Sequence, residues 1–337
     1  MRAIVQESYG PAELLQLRDV EPPAVGERDV LVRVKAASLH PDVWHMLRGE
    51  PRVLRLMGAG LVRPKRPIPG TDLAGVVEAT GPDVTRFDVG DEVFGKTVGA
   101  NSWRNGGAYA ELATVREDLL ERKPANLTFE QAAASPDSGT IAIQGVRDEG
   151  RLQRGQRVLI NGAGGGVGTF AVQVAKVLGA VDVTAVDVTQ KLERLRSIGA
   201  DRTLDAAEDF TAAGERYDVI LDIPGNRPFA AIKRALTAEG TYVLIGHDAF
   251  GREGRRWVGS IGRFLELLIR SPFEKQLPGL RGAKDPGDRM QLLTTLLEDG
   301  AVVPVIDRTF PLAEVPSAIR YLETGAAIGK IVITIAP

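Results

Sequence analysis

The chain has 337 residues, which is long enough for two domains that each bury a core of their own. Apolar residues make up 44% and charged residues 26%, and the net charge of −2 excludes the strongly basic balance typical of nucleic-acid or anionic-membrane binding. Without cysteine the chain can form neither disulfides nor thiolate zinc sites. The first residues lack the apolar core of a signal peptide, and no apolar run approaches the ~20 residues of a membrane span, so we expect a cytoplasmic protein.

Residues 1 to about 125 are rich in short strands separated by glycine and proline. Residues 29–37 (DVLVRVKAA) alternate apolar and polar side chains with the period of a half-buried strand. Residues 38–49 (SLHPDVWHMLRG) then indicate a loop that enters a short helix. Turn-and-strand patterns follow at residues 70–81 and 87–95, and together these segments predict a compact, barrel-like domain.

The next part of the chain changes to helical patterns and then to an alternation. Thr128 and Glu130-Gln131 precede an alanine-rich helix and form a candidate N-terminal cap, and residues 138–146 should begin a second helix. Residues 156 to about 250 alternate strand and helix, which predicts a parallel, doubly wound sheet.

A glycine-rich turn stands near the start of this alternation, in residues 157–175 (RVLINGAGGGVGTFAVQVA). The spacing G-x-G-x-x-G is matched best by Ala163, Gly165 and Gly168, with alanine in the first place. A pyrophosphate needs such a turn, because it approaches the backbone too closely for side chains and is held by free N–H groups at the positive end of a helix. The candidate contact residues are Ala163, Gly164, Gly165, Gly166, Val167 and Gly168.

The strands that follow the turn support a nucleotide site. The next strand ends in Asp187, about 20 residues beyond the last glycine, where an acid that binds a ribose is expected. Residues 217–222 give another strand, and residues 240–246 one more, whose last residue, Gly246, is a further candidate contact. This context predicts a dinucleotide site rather than a structural glycine turn.

Six segments spread over the chain carry a family resemblance: 69–81 (PGTDLAGVVEATG), 87–95 (FDVGDEVFG), 106–112 (GGAYAEL), 154–176 (RGQRVLINGAGGGVGTFAVQVAK), 195–201 (LRSIGAD) and 329–335 (GKIVITI). Through them the sequence resembles the medium-chain dehydrogenase/reductase superfamily, most of all its zinc-independent, quinone-oxidoreductase-like branch. The resemblance implies an α/β fold with a β-rich, GroES-like catalytic domain at residues 1–125, completed by about 300–337, and a Rossmann NAD(P)-binding domain at residues 126–299. It also implies an active site in the cleft between these domains and a homodimer.

The resemblance also bears on zinc. The positions of the family's catalytic ligands, a cysteine and a His-Glu pair, correspond here to Leu39, Thr71 and Asp72. Leucine cannot bind zinc, and the lack of cysteine removes the structural zinc site as well. No ligand spacing is shown by the three histidines, His40, His45 and His247. Without a Lewis acid, hydride transfer to an enone or quinone, over which the negative charge spreads, is favoured over alcohol oxidation.

Candidate catalytic residues follow from the segment that corresponds to the family's nicotinamide side, residues 38–45. His40 replaces an asparagine of many relatives and is the best candidate for lining the nicotinamide pocket. His45 could donate a proton near neutral pH, or it could be a solvated helix residue beside a Trp44 that packs the cleft wall. Asp42 could orient a neighbour or cap the short helix.

Further cofactor contacts are implied for Thr140, Lys191 and Lys330. Relatives often place the threonine one position later, so Thr140 could instead be a buried hydroxyl at a helix start, and Lys330 could simply begin an edge strand. Asp187 can accept hydrogen bonds from both ribose hydroxyls and would repel a 2′-phosphate, which favours NAD(H). Lys191 and Arg194 could reach a phosphate or lie on the surface, so NADP(H) stays open.

The sequence thus predicts a zinc-independent oxidoreductase that transfers hydride from NAD(P)H to an activated alkene or a quinone. A zinc-free alcohol or carbonyl dehydrogenase and a nucleotide-binding redox sensor with little turnover are the alternatives. The expected partners are a small hydrophobic carbonyl or quinone substrate and a second copy of the chain, without nucleic acid or membrane. Residues 250–290 are expected to cover the substrate cleft or to contribute to a subunit contact.

Overall fold

The computed structural model describes residues 1–99, 104–246, 257, 259, 261–278 and 286–336. Backbone contacts divide the chain into two compact units. The first unit comprises Met1–Asp137, Met290–Glu298 and Pro304–Pro337, and the second comprises Ser138–Arg289 and Asp299–Val303.

The described strands, numbered along the chain, are β1 (Arg2–Val5), β2 (Gln16–Asp19), β3 (Asp29–Ser38), β4 (Asp72–Thr80), β5 (Glu92–Lys96), β6 (Leu112–Arg116), β7 (Leu120–Arg122), β8 (Arg157–Asn161), β9 (Asp182–Asp187), β10 (Arg202–Asp205), β11 (Tyr217–Asp222), β12 (Leu236–Leu244), β13 (Ile306–Pro311) and β14 (Lys330–Thr334). The described α-helices are α1 (Pro41–Arg48), α2 (Phe129–Ala133), α3 (Pro136–Ile143), α4 (Gly166–Val177), α5 (Leu192–Ser197), α6 (Phe229–Arg234), α7 (Ile261–Arg270), α8 (Pro286–Glu298) and α9 (Val315–Glu323). None of these helices has both the length and the apolar character that a bilayer crossing requires.

The first unit is built on a mostly antiparallel sheet with the strand order β13-β14-β3-β4-β5-β7, in which β6 also pairs with β3. β1 and β2 form a separate antiparallel pair. β3 has the predicted alternation, since Val30, Val32 and Val34 are buried and the residues between them are partly exposed. β3 lies inside the sheet, between β14 and β4, and its buried valines contribute to the core of the unit.

The first unit continues past residue 125, where the sequence places the domain boundary, as far as Asp137. The reason is α2, which packs against β3, β4 and β14 of that unit. Its small side chains permit this close approach, and Ala132 and Ala133 are fully buried. α2 thus belongs to the core of the first unit.

The second unit contains the predicted parallel sheet, with the strand order β10-β9-β8-β11-β12. The chain runs outward from β8 to β10 on one side and from β11 to β12 on the other, so the order reverses between β8 and β11. Ligands of open α/β sheets bind beyond the carboxyl ends of the strands at such a reversal. Members of the core of this unit include Leu159, Val186, Ile220, Phe229 and Tyr242.

Two helix starts differ in how well the sequence predicts them. Thr128 and Gln131 form the predicted capping box, in which each residue's N–H donates to the other's side-chain oxygen, at 3.0 and 3.2 Å. By contrast α3 begins at Pro136 and not at Ser138. Proline is suited to the first turn of a helix, where its missing N–H would have no partner in any case.

Candidate functional site

The glycine-rich turn joins β8 to α4 in the second unit. Gly162 has the left-handed φ of +80° that opens the turn, and its N–H and that of Ala163 both donate to the Val186 carbonyl, at 2.9 and 3.1 Å. A Cβ on Gly168 would lie 2.4 Å from the Gly162 oxygen, so this glycine allows α4 to pack on the turn. Gly162 thus turns the chain directly before the predicted positions Ala163, Gly165 and Gly168.

The N-terminal end of α4 fits a pyrophosphate. Gly165 is the cap residue of this helix and has no side chain with which to bond the first N–H groups. A Cβ on Gly165 would meet only the Gly162 oxygen, at 3.7 Å, so the space beside it is open. The first turn carries no acidic residue. The N–H groups of such a turn and the helix dipole together attract an anion.

Asp187 is the last residue of β9, and its carboxylate is held by the protein. One oxygen accepts a hydrogen bond from the Gly164 N–H at 2.7 Å, and the other accepts one from the Val188 N–H at 2.9 Å. Lys191 Nζ lies 3.7 Å from Asp187 Oδ1, and its side chain is only 9% exposed. The alternative of a surface charge is therefore wrong for Lys191, whereas Arg194 is exposed on α5.

Three buried polar side chains hold the strand ends beside the turn. Asp222 Oδ1 accepts hydrogen bonds from Asn161 Nδ2 and the Gly225 N–H, both at 2.9 Å, and Oδ2 accepts one from the Tyr242 hydroxyl at 2.8 Å. Burial raises the pKa of Asp222, and these hydrogen bonds oppose the rise. Asn161 and Asp222 end β8 and β11, the strands between which the order reverses, so this network fixes the backbone from which the turn starts.

Thr140 and Gly246 also belong to the second unit. Thr140 is buried within α3, in agreement with the alternative of a buried hydroxyl near a helix start. A Cβ on Gly246 would lie 2.9 Å from the Ile223 oxygen, and a Cβ on Gly162 would lie 3.2 Å from the Ile223 side chain. Gly246 and the glycine turn therefore approach the same residue, at the carboxyl end of the sheet.

The first unit contains a row of polar side chains from neighbouring strands. In the sheet register Ser38 of β3 lies opposite Asp72 of β4, which lies opposite Lys96 of β5. Ser38 Oγ donates to Asp72 Oδ2 at 3.2 Å, and Lys330 Nζ lies 3.6 Å from the same oxygen. Lys330 begins β14, which pairs with β3 on one side and β13 on the other. The alternative of a lysine on an edge strand is therefore wrong.

Asp72 and Lys330 form a buried pair, with side chains 0% and 2% exposed. Asp72 also accepts a hydrogen bond from the Asp137 N–H at 3.4 Å. Burial raises the pKa of Asp72 to about 6, with Lys330 opposing the rise and Asp137 adding to it. Within the described part of the chain, Asp72 Oδ1 and Lys330 Nζ have no hydrogen-bond partner. Buried groups that titrate near neutral pH are characteristic of functional sites.

His40 lies directly before α1, with carboxylates on one side of its ring. Its Nδ1 lies 3.4 Å from Asp137 Oδ2, 3.5 Å from Asp42 Oδ2 and 3.4 Å from the Asp42 N–H, which makes His40 the cap residue of α1. The prediction that Asp42 caps the helix is wrong, because Pro41 takes the first helical position and Asp42 the second. Burial lowers the pKa of His40, but Asp137 and Asp42 outweigh it, so the pKa is raised above its usual value.

His45 and Trp44 are buried on α1. Their rings meet edge to face at 5.1 Å, and His45 Nδ1 lies 2.7 Å from the Glu50 carbonyl oxygen. Trp44 Nε1 donates to Glu323 Oε1 at 2.6 Å. The alternative of a solvated His45 is wrong, because the middle of α1 packs into the core. The third histidine, His247, lies outside the described residues.

Two ammonium groups as well as carboxylates lie near His40 in the first unit. In the described ranges one set of side chains brings possible metal-binding atoms within 4.8 Å of one another, namely His40, Asp42 and Asp137. Lys96 Nζ lies 3.5 Å from Asp137 Oδ1, and Lys330 lies beside Asp72. Two ammonium groups among these carboxylates oppose the binding of a further cation. We call this group of contacting polar side chains the polar cluster; it consists of Ser38, His40, Asp42, Asp72, Lys96, Asp137 and Lys330.

Three members of this cluster, Ser38, Lys96 and Asp137, are not marked by any spacing in the sequence. They come from β3, β5 and the start of α3, and only the sheet register and the contacts of Asp137 with Asp72 and Lys96 bring them together. The available signal is weak: an aspartate after a proline at a predicted helix start, which helix capping explains equally well.

Family models match both parts of the chain. Residues 26–125 match the alcohol dehydrogenase GroES-like domain, and residues 198–333 match a zinc-binding dehydrogenase domain. The first match lies within the first unit, which contains the antiparallel sheet. The predicted combination of a GroES-like domain with a parallel Rossmann sheet is confirmed.

Individual relatives align over nearly the whole chain. A 2-methylene-furan-3-one reductase of Solanum lycopersicum is 33% identical, covering 99% of this chain and 79% of the relative. An NADPH-dependent alkenal/one oxidoreductase of Arabidopsis thaliana is 32% identical with the same coverage, 99% and 79%. The solved quinone oxidoreductase of Coxiella burnetii matches with a TM-score of 0.82 at 26% identity, over 100% of this chain and 99% of the other. Taken with the parallel sheet and its glycine turn, these matches show that the chain belongs to the medium-chain dehydrogenase/reductase superfamily, in its quinone-oxidoreductase-like branch.

Proposed function

We propose that this chain reduces activated alkenes or quinones with hydride from NAD(P)H and without zinc. One observation carries the proposal: the turn after β8 leaves open space at Gly165, beside a helix N-terminus, where the strand order of a parallel sheet reverses. The names of the relatives support the substrate class, since they specify an alkenal or alkenone, a methylene-furanone and a quinone. All of these are conjugated acceptors, which spread the negative charge of an added hydride.

The cofactor contacts are proposed as follows. The N–H groups of Gly166, Val167 and Gly168, in the first turn of α4, hold the pyrophosphate, and Ala163, Gly164 and Gly165 line it. Asp187 holds the adenosine ribose. Thr140, Gly246 and Lys330 remain proposed contacts. The bound cofactor supplies the hydride. Asp187 favours NADH, because its carboxylate is fixed by two backbone N–H groups and would repel a 2′-phosphate.

Zinc independence is part of the proposal and depends on the side chains. The positions that correspond to the family's zinc ligands hold Leu39, Thr71 and Asp72, and the chain has no cysteine. Asp72 is the one carboxylate among them, and it is paired with Lys330 at 3.6 Å. A side chain already neutralised by an ammonium group is a poor ligand for a divalent cation.

Reduction of a conjugated acceptor requires a proton as well as a hydride, and we assign its donation to His40. Its ring is 8% exposed, its pKa is raised, and its Nε2 has no hydrogen-bond partner among the described residues. The carboxylates of Asp42 and Asp137 both lie beside Nδ1, where either can orient the ring. His45 remains the second candidate, although its Nδ1 already faces the Glu50 carbonyl. An imidazole that titrates near neutral pH is suited to this step.

The test is made with the purified chain. Binding of NADH and NADPH is measured by fluorescence, and oxidation of each at 340 nm is followed with 1,4-quinones and α,β-unsaturated ketones, with and without EDTA. Binding and turnover that EDTA leaves unchanged support the proposal, and the preferred cofactor tests the role of Asp187. Turnover that is lost in EDTA and restored by zinc would contradict zinc independence.

A second candidate is a zinc-free alcohol or carbonyl dehydrogenase, which the alcohol-dehydrogenase family match favours. It predicts reduction of NAD⁺ by small alcohols and no oxidation of NADH by quinones. The remaining rival, a redox sensor, predicts tight cofactor binding with no turnover in either assay. The same panel of substrates therefore separates all three functions.

We further propose a homodimer in the cytoplasm. The resemblance to the family favours the dimer, and the lack of cysteine agrees with a reducing compartment. Sedimentation equilibrium of the full chain tests the first proposal, and fractionation of the source cells tests the second. A monomer at micromolar concentration would overturn the dimer.

A further inference from the structure

The His40 ring is buried with its two nitrogens in different settings. Nε2 has no hydrogen-bond partner within the described residues, and the side chain is only 8% exposed. Nδ1 faces two carboxylate oxygens, Asp137 Oδ2 at 3.4 Å and Asp42 Oδ2 at 3.5 Å. A buried polar atom without a partner is costly, so an imidazole with one nitrogen held and the other unsatisfied indicates a ligand at the unsatisfied side.

Of the two carboxylates, Asp137 is the better placed to act on the ring. Its side chain is 15% exposed, against 44% for Asp42, so its charge is less screened by water. It is also held in place, because its N–H donates to Asp72 Oδ2 and its Oδ1 lies 3.5 Å from Lys96 Nζ. Asp42 lies on the first turn of α1.

Charged groups from several elements surround the imidazole. Those that face it directly or through Asp137 are Asp42 of α1, Asp137 of α3, Asp72 of β4, Lys96 of β5 and Lys330 of β14. Burial lowers the pKa of His40 and Lys330 lowers it further, whereas Asp137 and then Asp42 raise it and prevail. With Nδ1 protonated, the long contact to the Asp42 N–H gives way to donation toward a carboxylate.

We propose that Asp137 is a positioning residue that fixes the His40 ring and keeps it protonated for proton transfer from Nε2 to the reduced substrate. This inference rests on the proposed function. The substrate gains a hydride with its two electrons, and the Nε2–H bond of the imidazolium breaks as an O–H bond forms on a quinone or a C–H bond on an enone. His40 is left neutral, with Nδ1–H still donating to Asp137, and water returns the proton to Nε2 after release of the product.

The first test measures the titration midpoint of His40 and does not require turnover. The full chain is compared with Asp137→Asn, Asp42→Asn and His40→Asn by NMR titration of the histidine rings, where His40→Asn assigns the resonance. We expect Asp137→Asn to lower the titration midpoint of His40 by about one pH unit or more, and Asp42→Asn to lower it less. An unchanged midpoint in Asp137→Asn, or a larger shift in Asp42→Asn, overturns the proposal.

The second test uses turnover of NADH with a quinone. The wild-type kcat should fall as pH rises through the His40 midpoint, and Asp137→Asn should move this fall to lower pH, with about tenfold loss near pH 8. Binding of NADH should not change, and Asp137→Glu, which keeps the charge, should restore part of the profile. A pH profile of Asp137→Asn that superimposes on that of the wild type overturns the proposal.

Two controls separate the possible failures. If the wild type reduces no substrate, the proposed function and the proton transfer are both contradicted. The NMR titration midpoint still decides whether Asp137 keeps His40 protonated. The titrations are repeated after dialysis against EDTA. A midpoint that moves on removal of metal would show that His40 binds an ion, and would overturn the role given to Asp137.

Discussion

The two candidate sites are built in opposite ways. The turn in the second unit is contiguous, from Gly162 to Gly168, and consists of backbone groups and of the space that missing side chains leave. The cluster in the first unit is made of side chains from residues 38 to 330, which meet only because β14, β3, β4 and β5 are neighbours in one sheet. The glycine turn is therefore sensitive to added side-chain volume, whereas the polar cluster is sensitive to the loss of an ion partner.

The largest expected effect is that of Lys330→Met. It leaves the buried Asp72 carboxylate without its cation, which typically costs about 3–5 kcal/mol of unfolding free energy at neutral pH. The pKa of Asp72 is raised from its ordinary value of 3.8 to about 6 in the folded protein, so the folded state binds this proton more tightly than the unfolded state. The stability that Asp72 contributes in this way is fully present below its ordinary pKa and is lost as pH rises through its folded-state pKa. Urea unfolding near pH 7.5 and pH 5 should therefore show a deficit that shrinks in acid.

The matched control for this pair is the double variant Asp72→Asn with Lys330→Met. Removing both charges should restore most of the lost stability, because neither buried ion is then left alone. A deficit that is equal at both pH values, or that the double variant does not relieve, would mean that Lys330 acts by packing and not by charge.

The glycine turn is tested by two alanine substitutions with opposite expectations. In Gly168→Ala the new Cβ would lie 2.4 Å from the Gly162 oxygen, so the backbone must shift, and overpacking of this kind costs about 1–3 kcal/mol. In Gly165→Ala the nearest atom is 3.7 Å away, so stability should change by less than about 1 kcal/mol while affinity for NADH falls at least about tenfold. Thermal unfolding measures the change in stability, and fluorescence titration measures the affinity for NADH. If both variants lost NADH affinity equally and neither lost stability, the different roles given to Gly168 and Gly165 would be contradicted.

Asp187 is the side chain proposed to hold the adenosine ribose in the second site. Asp187→Ala removes the carboxylate proposed to bind the ribose and should raise the Kd for NADH by about 10- to 100-fold, as expected for hydrogen bonds to a charged group. NADPH should be affected less, because the carboxylate opposes its 2′-phosphate. Arg194→Ala, at an exposed position on α5, is the control. An Asp187→Ala variant that binds NADH as well as the wild type does would remove Asp187 from the site.

The smallest expected effect concerns Glu323, which joins α9 to α1 in the first unit. It accepts hydrogen bonds from Trp44 Nε1 at 2.6 Å and from Arg48 at 3.0 Å. Glu323→Gln keeps an acceptor and loses only the charge, so unfolding free energy should fall by about 0.5–1 kcal/mol. NADH affinity should stay unchanged, and a large loss of affinity would show that α1 is coupled to the cofactor site.

Much of the fold can be predicted from the sequence because it depends on local patterns. The alternation in residues 29–37 predicts β3, Thr128 and Gln131 predict the cap of α2, and the alternating strands and helices predict the parallel sheet. The domain boundary is harder to predict from the sequence, because the alanines of α2 are compatible with the core of either unit. Only their packing against β3 and β4 assigns the helix to the first unit.

The sequence by itself determined the glycine turn and the position of Asp187, because they depend on residues close together along the chain. It also determined the family, because the resemblance is carried by short contiguous segments. Tertiary structure decided the rest. It buried Lys191 beside Asp187 and paired Lys330 with Asp72. The physical reason is that backbone conformation follows local steric rules, whereas the pairing of distant charges is set by strand register, which hydrogen bonds between strands fix only after the chain has folded.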